Sequence, residues 1–115
     1  MRRGDIFLAD LDPSQGSESD KLRPVVIVSN NGANRIAERL GRGVITVVPV
    51  TSSVDRVYPF QTFLPPKESG LRRRSKAQAE QVRSIDVTRV RNQVGAVPPA
   101  LLVEIDAALR LHLGL

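Results

Sequence analysis

The side chains able to do covalent chemistry in this chain are few, and their types narrow the reaction. Cysteine is absent and histidine occurs once, at His112. A thiol nucleophile, a thiolate zinc site and a pair of catalytic histidines are therefore excluded within one chain. There is no glycine-rich phosphate loop, no nucleophile elbow and no zinc-ligand spacing. What remains is arginine, hydroxyl and carboxylate beside turns. Such a set suits cleavage of RNA without a metal, because the substrate brings its own nucleophile, the 2′-hydroxyl. The protein must align that oxygen with the leaving 5′-oxygen, balance charge on a phosphorane-like transition state, and move two protons. A positioned guanidinium, helped by hydroxyl donors, does the second task. A carboxylate does the third. DNA has no 2′-hydroxyl and would not react by this route.

Arg23 is the leading candidate, because it sits where a polar loop meets the β-branched run Pro24–Val28. A surface or subunit salt bridge is its bland alternative. Thr51 follows Pro49-Val50 at the far end of a second such run, Val44–Val50; a turn-capping hydroxyl is the alternative there. Ser17 and Glu18 precede Arg23 on the polar loop, where plain solvation would also explain them. Glu80, Gln81 and Arg83 lie on or beside a later strand and would equally suit a cross-strand ladder. Asp10 and Asp12 would share a face on a strand and could hold Mg²⁺, but Asp-x-Asp-Pro is also a good strand terminator. No metal and no cofactor are therefore expected. His112 is read as a packing or subunit-contact residue on a helix face.

The charge supports a polyanionic partner. Against 12 Asp and Glu stand 17 Lys and Arg, for a net charge of +5, and 14 of the basic residues are Arg. Arginine forks match phosphate and carboxylate geometry. The excess is local: residues 67–91 carry a net +5, whereas residues 1–20 carry −3. That basic segment is either a solvated face or an electrostatic footprint for nucleic acid, or for an acidic protein segment that competes with it.

These residues must be positioned by short elements. At 115 residues, 41% of them apolar, the chain suits one globular domain over 1–115. No apolar run is long enough to span a bilayer, and no secretory leader is expected before the strand-like Ile6–Ala9. A polar loop runs from Ser14 to Leu22. Pro24–Val28 and Val44–Val50 read as buried strands, with Pro49 at an edge or a bulge. Ala33–Leu40 reads as a short helix stopped by Gly41 and Gly43. Tyr58–Leu64 alternates weakly and ends at Pro65-Pro66. Lys76–Ile85 makes one or two strands, Asp86–Arg89 a turn, and Gln93–Val97 a last strand. Pro98-Pro99 opens a terminal helix, in which Leu101, Leu102, Ile105, Ala108, Leu109, His112 and Leu113 recur at helical spacing. The pattern predicts a mainly β fold, a bent antiparallel sheet or partial barrel with appended helices. So apolar a helix face beside so few aromatics suggests cover by a second copy.

Five segments, in order, resemble the MazF/PemK/Kid family of toxin endoribonucleases: RRGDIFLADLDPSQGSE, RPVVIVSNNGAN at 23–34, VITVVPVTSS at 44–53, AEQVRSID at 79–86, and GAVPPALLVEIDAALRLHLGL. The resemblance implies an SH3-like partial barrel with a C-terminal helix, homodimeric and cytoplasmic. It implies metal-independent cleavage of single-stranded RNA at short sequences, leaving a 2′,3′-cyclic phosphate and a 5′-hydroxyl. Carried over by position, Arg23 and Thr51 are the catalytic pair, and Ser17, Glu18, Glu80 and Gln81 fall where members contact RNA. Kid-like members with a loop histidine and a strand arginine–aspartate pair are not matched, since Ser17, Gln78 and Glu80 stand there. The general base therefore stays open between Glu18, Glu80 and arginine-assisted transfer through water. The resemblance also implies a cognate MazE-like antitoxin whose acidic C-terminal segment competes with RNA.

Other readings are a gyrase poison like CcdB, which shares the barrel, and a non-catalytic nucleic-acid-binding regulator. The former acts through a tryptophan-containing tail, and this chain has no Trp.

Overall fold

Two β-branched runs set the frame, because branched side chains fit a pleated, packed surface better than a helix. The computed structural model describes residues 1–11 and 22–115. In it the two runs form the adjacent strands β2 (Leu22–Ile27) and β3 (Val44–Thr51), with β1 (Asp5–Asp10) on the far side of β2. Four shorter strands complete the sheet: β4 (Gln61–Leu64), β5 (Ser75–Gln78), β6 (Arg83–Asp86) and β7 (Val90–Ala96). The order is β4-β5-β3-β2-β1-β7, with β6 also on β3, and each pair is antiparallel. The helices are α1 (Asn31–Leu40), α2 (Pro66–Ser69) and α3 (Pro99–Leu113). This is the bent antiparallel sheet with a terminal helix that the pattern predicts.

β3 is shared between two partners along one edge. Its first half pairs with β6, from Val44↔Asp86 to Val47↔Arg83, and its end pairs with β5 through Val50↔Ala77 and Thr51↔Lys76. Pro49 falls between them. The Val28 N–H donates to the Thr46 carbonyl at 2.9 Å. Antiparallel alternation from that pair turns the Pro49 nitrogen away from β2, into the interval where β3 changes partner. The missing N–H costs no ladder bond there, so the proline sits in a central strand, at a break between pairing partners, rather than at the edge or bulge expected from the sequence.

Alternate residues of β2 and β3 feed two cores. Ile6, Val26, Val48, Val50, Leu64, Ala77, Val97 and Ile105 form one, covered by α3. Ala9, Val25, Ile27, Ala37, Ile45, Val47, Ile85 and Val87 form the other, covered in part by α1. The Arg3 guanidinium fixes α3 to the sheet, reaching Asp106 Oδ1 at 2.6 Å and the Val28 carbonyl at 2.8 Å. Gly95 lets α2 lie against β7, for a Cβ there would fall 2.3 Å from the Ser69 carbonyl oxygen.

Several boundaries differ from the sequence pattern. β2 begins at Leu22 because Asp10↔Leu22 and Ala9↔Arg23 pair with β1, so Arg23 lies within a strand rather than at its mouth. β7 begins at Val90, extended by pairing with Ala9. Only Gln61–Leu64 of the 58–64 run is strand. Pro65-Pro66 does more than stop that strand: Pro66 opens the single turn of α2, which Gly70 closes at φ 80°. Lys76–Ile85 resolves into β5, a 3₁₀ turn at Ala79–Gln81, and β6. The apolar stripe of α3 is buried at Ile105 and Ala108, but Leu111, His112 and Leu113 are exposed. His112 thus packs into neither core. Among the described residues no helix is long and apolar enough to cross a membrane.

Candidate functional site

The β2–β3 register runs Ile27↔Val47, Val26↔Val48, Val25↔Pro49. Continued by two residues, it sets Arg23 opposite Thr51. Strand alternation puts both side chains on the face of the second core, just beyond its rim. A groove of about 680 Å³ opens at this point, and Arg23 and Thr51 both line it. Its apolar floor includes Leu11, Leu22, Pro24, Pro49 and Leu71. Its polar lining adds Ser52, Arg72, Arg73, Ser75, Gln78, Gln81 and Arg83. No carboxylate belongs to the described lining, so the guanidiniums of Arg23, Arg72, Arg73 and Arg83 face one concave, anion-attracting space.

Each group is held differently. Arg23 is exposed on a strand paired on both sides, and its Nη1 donates a long bond, 3.4 Å, to the Leu22 carbonyl. Thr51 Oγ1 accepts the Ser53 N–H at 3.2 Å. The turn-capping role is thus real, and it leaves the hydroxyl proton available to a ligand in the groove. Arg83 pairs across from Val47 and donates through Nη1 to the Leu11 carbonyl at 3.1 Å, clamping the end of β1. Arg72 and Arg73 follow Gly70 and form a wall.

Glu80 and Gln81 are neighbours in the 3₁₀ turn but part company. Gln81 lines the groove, whereas Glu80 does not. The Glu80 carboxylate instead accepts from Gln61 Nε2 at 2.7 Å through Oε2, and its Oε1 is buried with no hydrogen-bond partner among the described residues. The fold therefore brings Arg23, Thr51, Gln81 and Arg83 to one groove and leaves Glu80 out of its lining. Asp10 is buried at the end of β1, while Asp12, Ser17 and Glu18 lie outside the described residues. Ser52, Ser75 and Gln78 are lining residues that sequence reasoning does not single out. β5 is only four residues long, too short for its alternation to stand out. The Asp86 carboxyl is held below the usual range, first by the Thr88 backbone N–H and then by the Thr88 hydroxyl. It caps the 3₁₀ turn at Val87–Arg89, away from the groove.

The sequence and fold match known proteins over their whole length. Endoribonuclease MazF9 of Mycobacterium tuberculosis is 56% identical over 115 residues, covering 100% of this chain and 98% of the relative. Endoribonuclease MazF of Staphylococcus epidermidis is 33% identical, covering 100% and 92%. Among solved structures, a mycobacterial endoribonuclease in complex with its cognate antitoxin superposes with a TM-score of 0.78 at 26% identity, covering 100% of this chain and 96% of that one. A MazE–MazF structure from Deinococcus radiodurans gives 0.76 at 24% identity, over 100% and 96%, a likeness of fold. The family described as PemK-like, MazF-like toxin of type II toxin–antitoxin systems matches residues 2–113. With that match spanning nearly the whole chain, and relatives this similar along their full length, the protein belongs to the PemK/MazF toxin family.

Proposed function

We propose that the protein is a sequence-specific endoribonuclease toxin that cleaves single-stranded RNA in the arginine-lined groove, with Arg23 and Thr51 as its catalytic pair. The observation that carries this reading is that Arg23 and Thr51, from two adjacent strands, line one groove whose described lining is basic and free of carboxylates. The names of the relatives favour the nuclease over a gyrase poison or a silent regulator.

In the reaction the RNA 2′-oxygen attacks phosphorus and the bond to the 5′-oxygen breaks. The products are a 2′,3′-cyclic phosphate and a 5′-hydroxyl. The Arg23 guanidinium balances the charge that builds on the non-bridging oxygens, and the Thr51 hydroxyl donates to one of them while its own oxygen is held by the Ser53 N–H. The substrate supplies the nucleophile, so the step needs no metal. Gln81 and Arg83 contact flanking nucleotides, and Arg72 and Arg73 hold the backbone. Glu80 faces Gln61, which favours Glu18 or water-assisted transfer both for taking the proton of the 2′-hydroxyl and for giving one to the departing 5′-oxygen.

The same groove suits an acidic antitoxin segment in competition with RNA. The solved mycobacterial relative is bound to its cognate antitoxin. The exposed apolar side chains of α3, Val103, Leu111 and Leu113, spread around its outer half, support cover by a second copy in a homodimer. The setting for this chemistry is the cytoplasm, where the substrate RNA lies.

The test is to incubate purified protein with a long single-stranded RNA in EDTA and to map the ends. Discrete internal cuts bearing cyclic phosphate and 5′-hydroxyl ends are expected. RNA bound but intact would mean a non-catalytic regulator. Gyrase inhibition without RNA cutting would mean a CcdB-like poison.

A further inference from the structure

Thr51 is followed by an irregular strap, residues 52–60, that runs to the start of β4. Although it lacks regular structure, it is fastened along its length. The Ser53 N–H donates to Thr51 Oγ1 at 3.2 Å. The Arg56 carbonyl accepts from Lys76 Nζ at 2.6 Å. The Tyr58 N–H donates to Gln61 Oε1 at 3.1 Å, and the Tyr58 ring stacks on Phe60 with centroids 5.3 Å apart.

Lys76 is the unusual member. It lies on β5 directly across from Thr51, yet it is only 7% exposed and is absent from the groove lining. Lysine is rarely buried, because an ammonium loses strong hydration. A lysine kept for solvation or for a charge ladder would reach into water. This one makes no salt bridge among the described residues. Its ammonium is directed instead at the Arg56 carbonyl and at the face of Tyr58, 5.8 Å from the ring centroid. Both contacts belong to the strap.

We infer that Lys76 is a positioning residue for Thr51: it clamps the 52–60 strap and so holds the Ser53 N–H that orients the Thr51 hydroxyl. The inference rests on the reading of Thr51 as a donor to the scissile phosphate. An unrestrained threonine hydroxyl samples several rotamers. The Ser53 N–H selects one of them only while the strap keeps Ser53 in place. The arginines that bind RNA sit on β2, on β6 and in the loop after Gly70, so the clamp acts on turnover rather than on affinity.

The experiment compares wild type, Lys76→Met, Lys76→Arg, Thr51→Ala and the Thr51→Ala/Lys76→Met double variant. It reads single-turnover cleavage, RNA affinity, amide exchange at Ser53 and thermal unfolding. Lys76→Met keeps the apolar stem but removes the cation and its donors. It is expected to slow cleavage by about 10- to 100-fold, to leave RNA affinity within about twofold, and to speed exchange at Ser53. Lys76→Arg restores most of the rate. In the Thr51→Ala background the lysine change adds no further loss, because the hydroxyl it positions is gone. Wild-type cleavage by Lys76→Met would overturn the inference, as would an undiminished second loss in the double variant or unchanged Ser53 exchange. Should Lys76→Met fail to fold, Tyr58→Leu removes the ring from the ammonium, and slower cleavage with faster Ser53 exchange is again expected. Unchanged rate and exchange in that variant would equally overturn it. If wild type does not cut RNA, the nuclease reading of the groove fails instead; if Thr51→Ala cuts normally, the assignment of Thr51 fails and this inference with it, and in either case Ser53 exchange still decides whether the clamp exists.

Discussion

The two faces of the central sheet draw on alternate residues of the same strands and both are packed, yet one of them gives way at its rim to the groove. Val26, Val48 and Val50 point into a core that α3 covers with Ile105. Val25, Ile27 and Val47 point into a core that Ala37 of α1 joins and that Phe7, Leu11 and Val90 pack against. Past Val25 and Pro49, on that second face, come Arg23 and Thr51 and the groove. The difference teaches where stability and chemistry divide. A one-residue shift in register would carry Arg23 and Thr51 to the opposite face, because strand side chains alternate. The catalytic candidates therefore ride on a rigid ladder without belonging to the packing that stabilises it. A pair of packed strands holds a guanidinium and a hydroxyl in register better than loops would.

That division can be broken most severely at Arg23. Arg23→Ala is expected to lower single-turnover cleavage by about 10²–10³-fold, equivalent to about 3–4 kcal/mol of transition-state stabilisation. The unfolding midpoint should not move, since the side chain is exposed. A stability loss in step with the activity loss would show that the two faces are not separable. The mirror experiment is Ile105→Ala on the face that α3 covers. It should cost about 3 kcal/mol in denaturant unfolding, with cleavage per folded molecule unchanged.

Thr51→Ala should reduce cleavage by about 10- to 100-fold, less than Arg23→Ala, because a neutral donor contributes less than a charged one. Arg72→Gln with Arg73→Gln should sharpen the picture of the wall. The dependence of log affinity on log salt should become shallower by about 0.7 for each lost phosphate contact on single-stranded RNA. An unchanged salt slope would make that wall a solvated loop.

The smallest effect is expected at Asp86, which is exposed and does not line the groove. The Thr88 backbone N–H, with the Thr88 hydroxyl, holds its carboxyl below the usual range in the folded state. A lowered folded-state value favours folding when the carboxylate is charged. Its contribution is thus complete at neutral pH and fades as the pH falls below the ordinary carboxylate range and through the lowered value. Asp86→Asn should narrow the gap between neutral and acid stability slightly and leave cleavage unaltered. Unfolding curves across acid pH would reveal any larger role.

The central strands were legible because β-branched runs carry their preference locally, and α3 because its apolar spacing is helical. Arginine and threonine at the ends of those runs, together with the ordered resemblance, already singled out Arg23 and Thr51. What composition left undecided were matters of facing and partnership. Glu80 and Gln81 are adjacent and equally polar, and only the 3₁₀ turn sends one to the groove and the other to Gln61. Lys76 reads as one more basic residue in a basic segment until the strap is seen lying over it. The change of partner along β3, from β6 to β5, rests on contacts between residues far apart in the chain. Sequence determined which elements form and which charges they carry, since backbone preference and side-chain period act over a few neighbours. Tertiary structure decided which of those charges share one groove, because pairing register and burial are set by residues that meet only once the chain has folded.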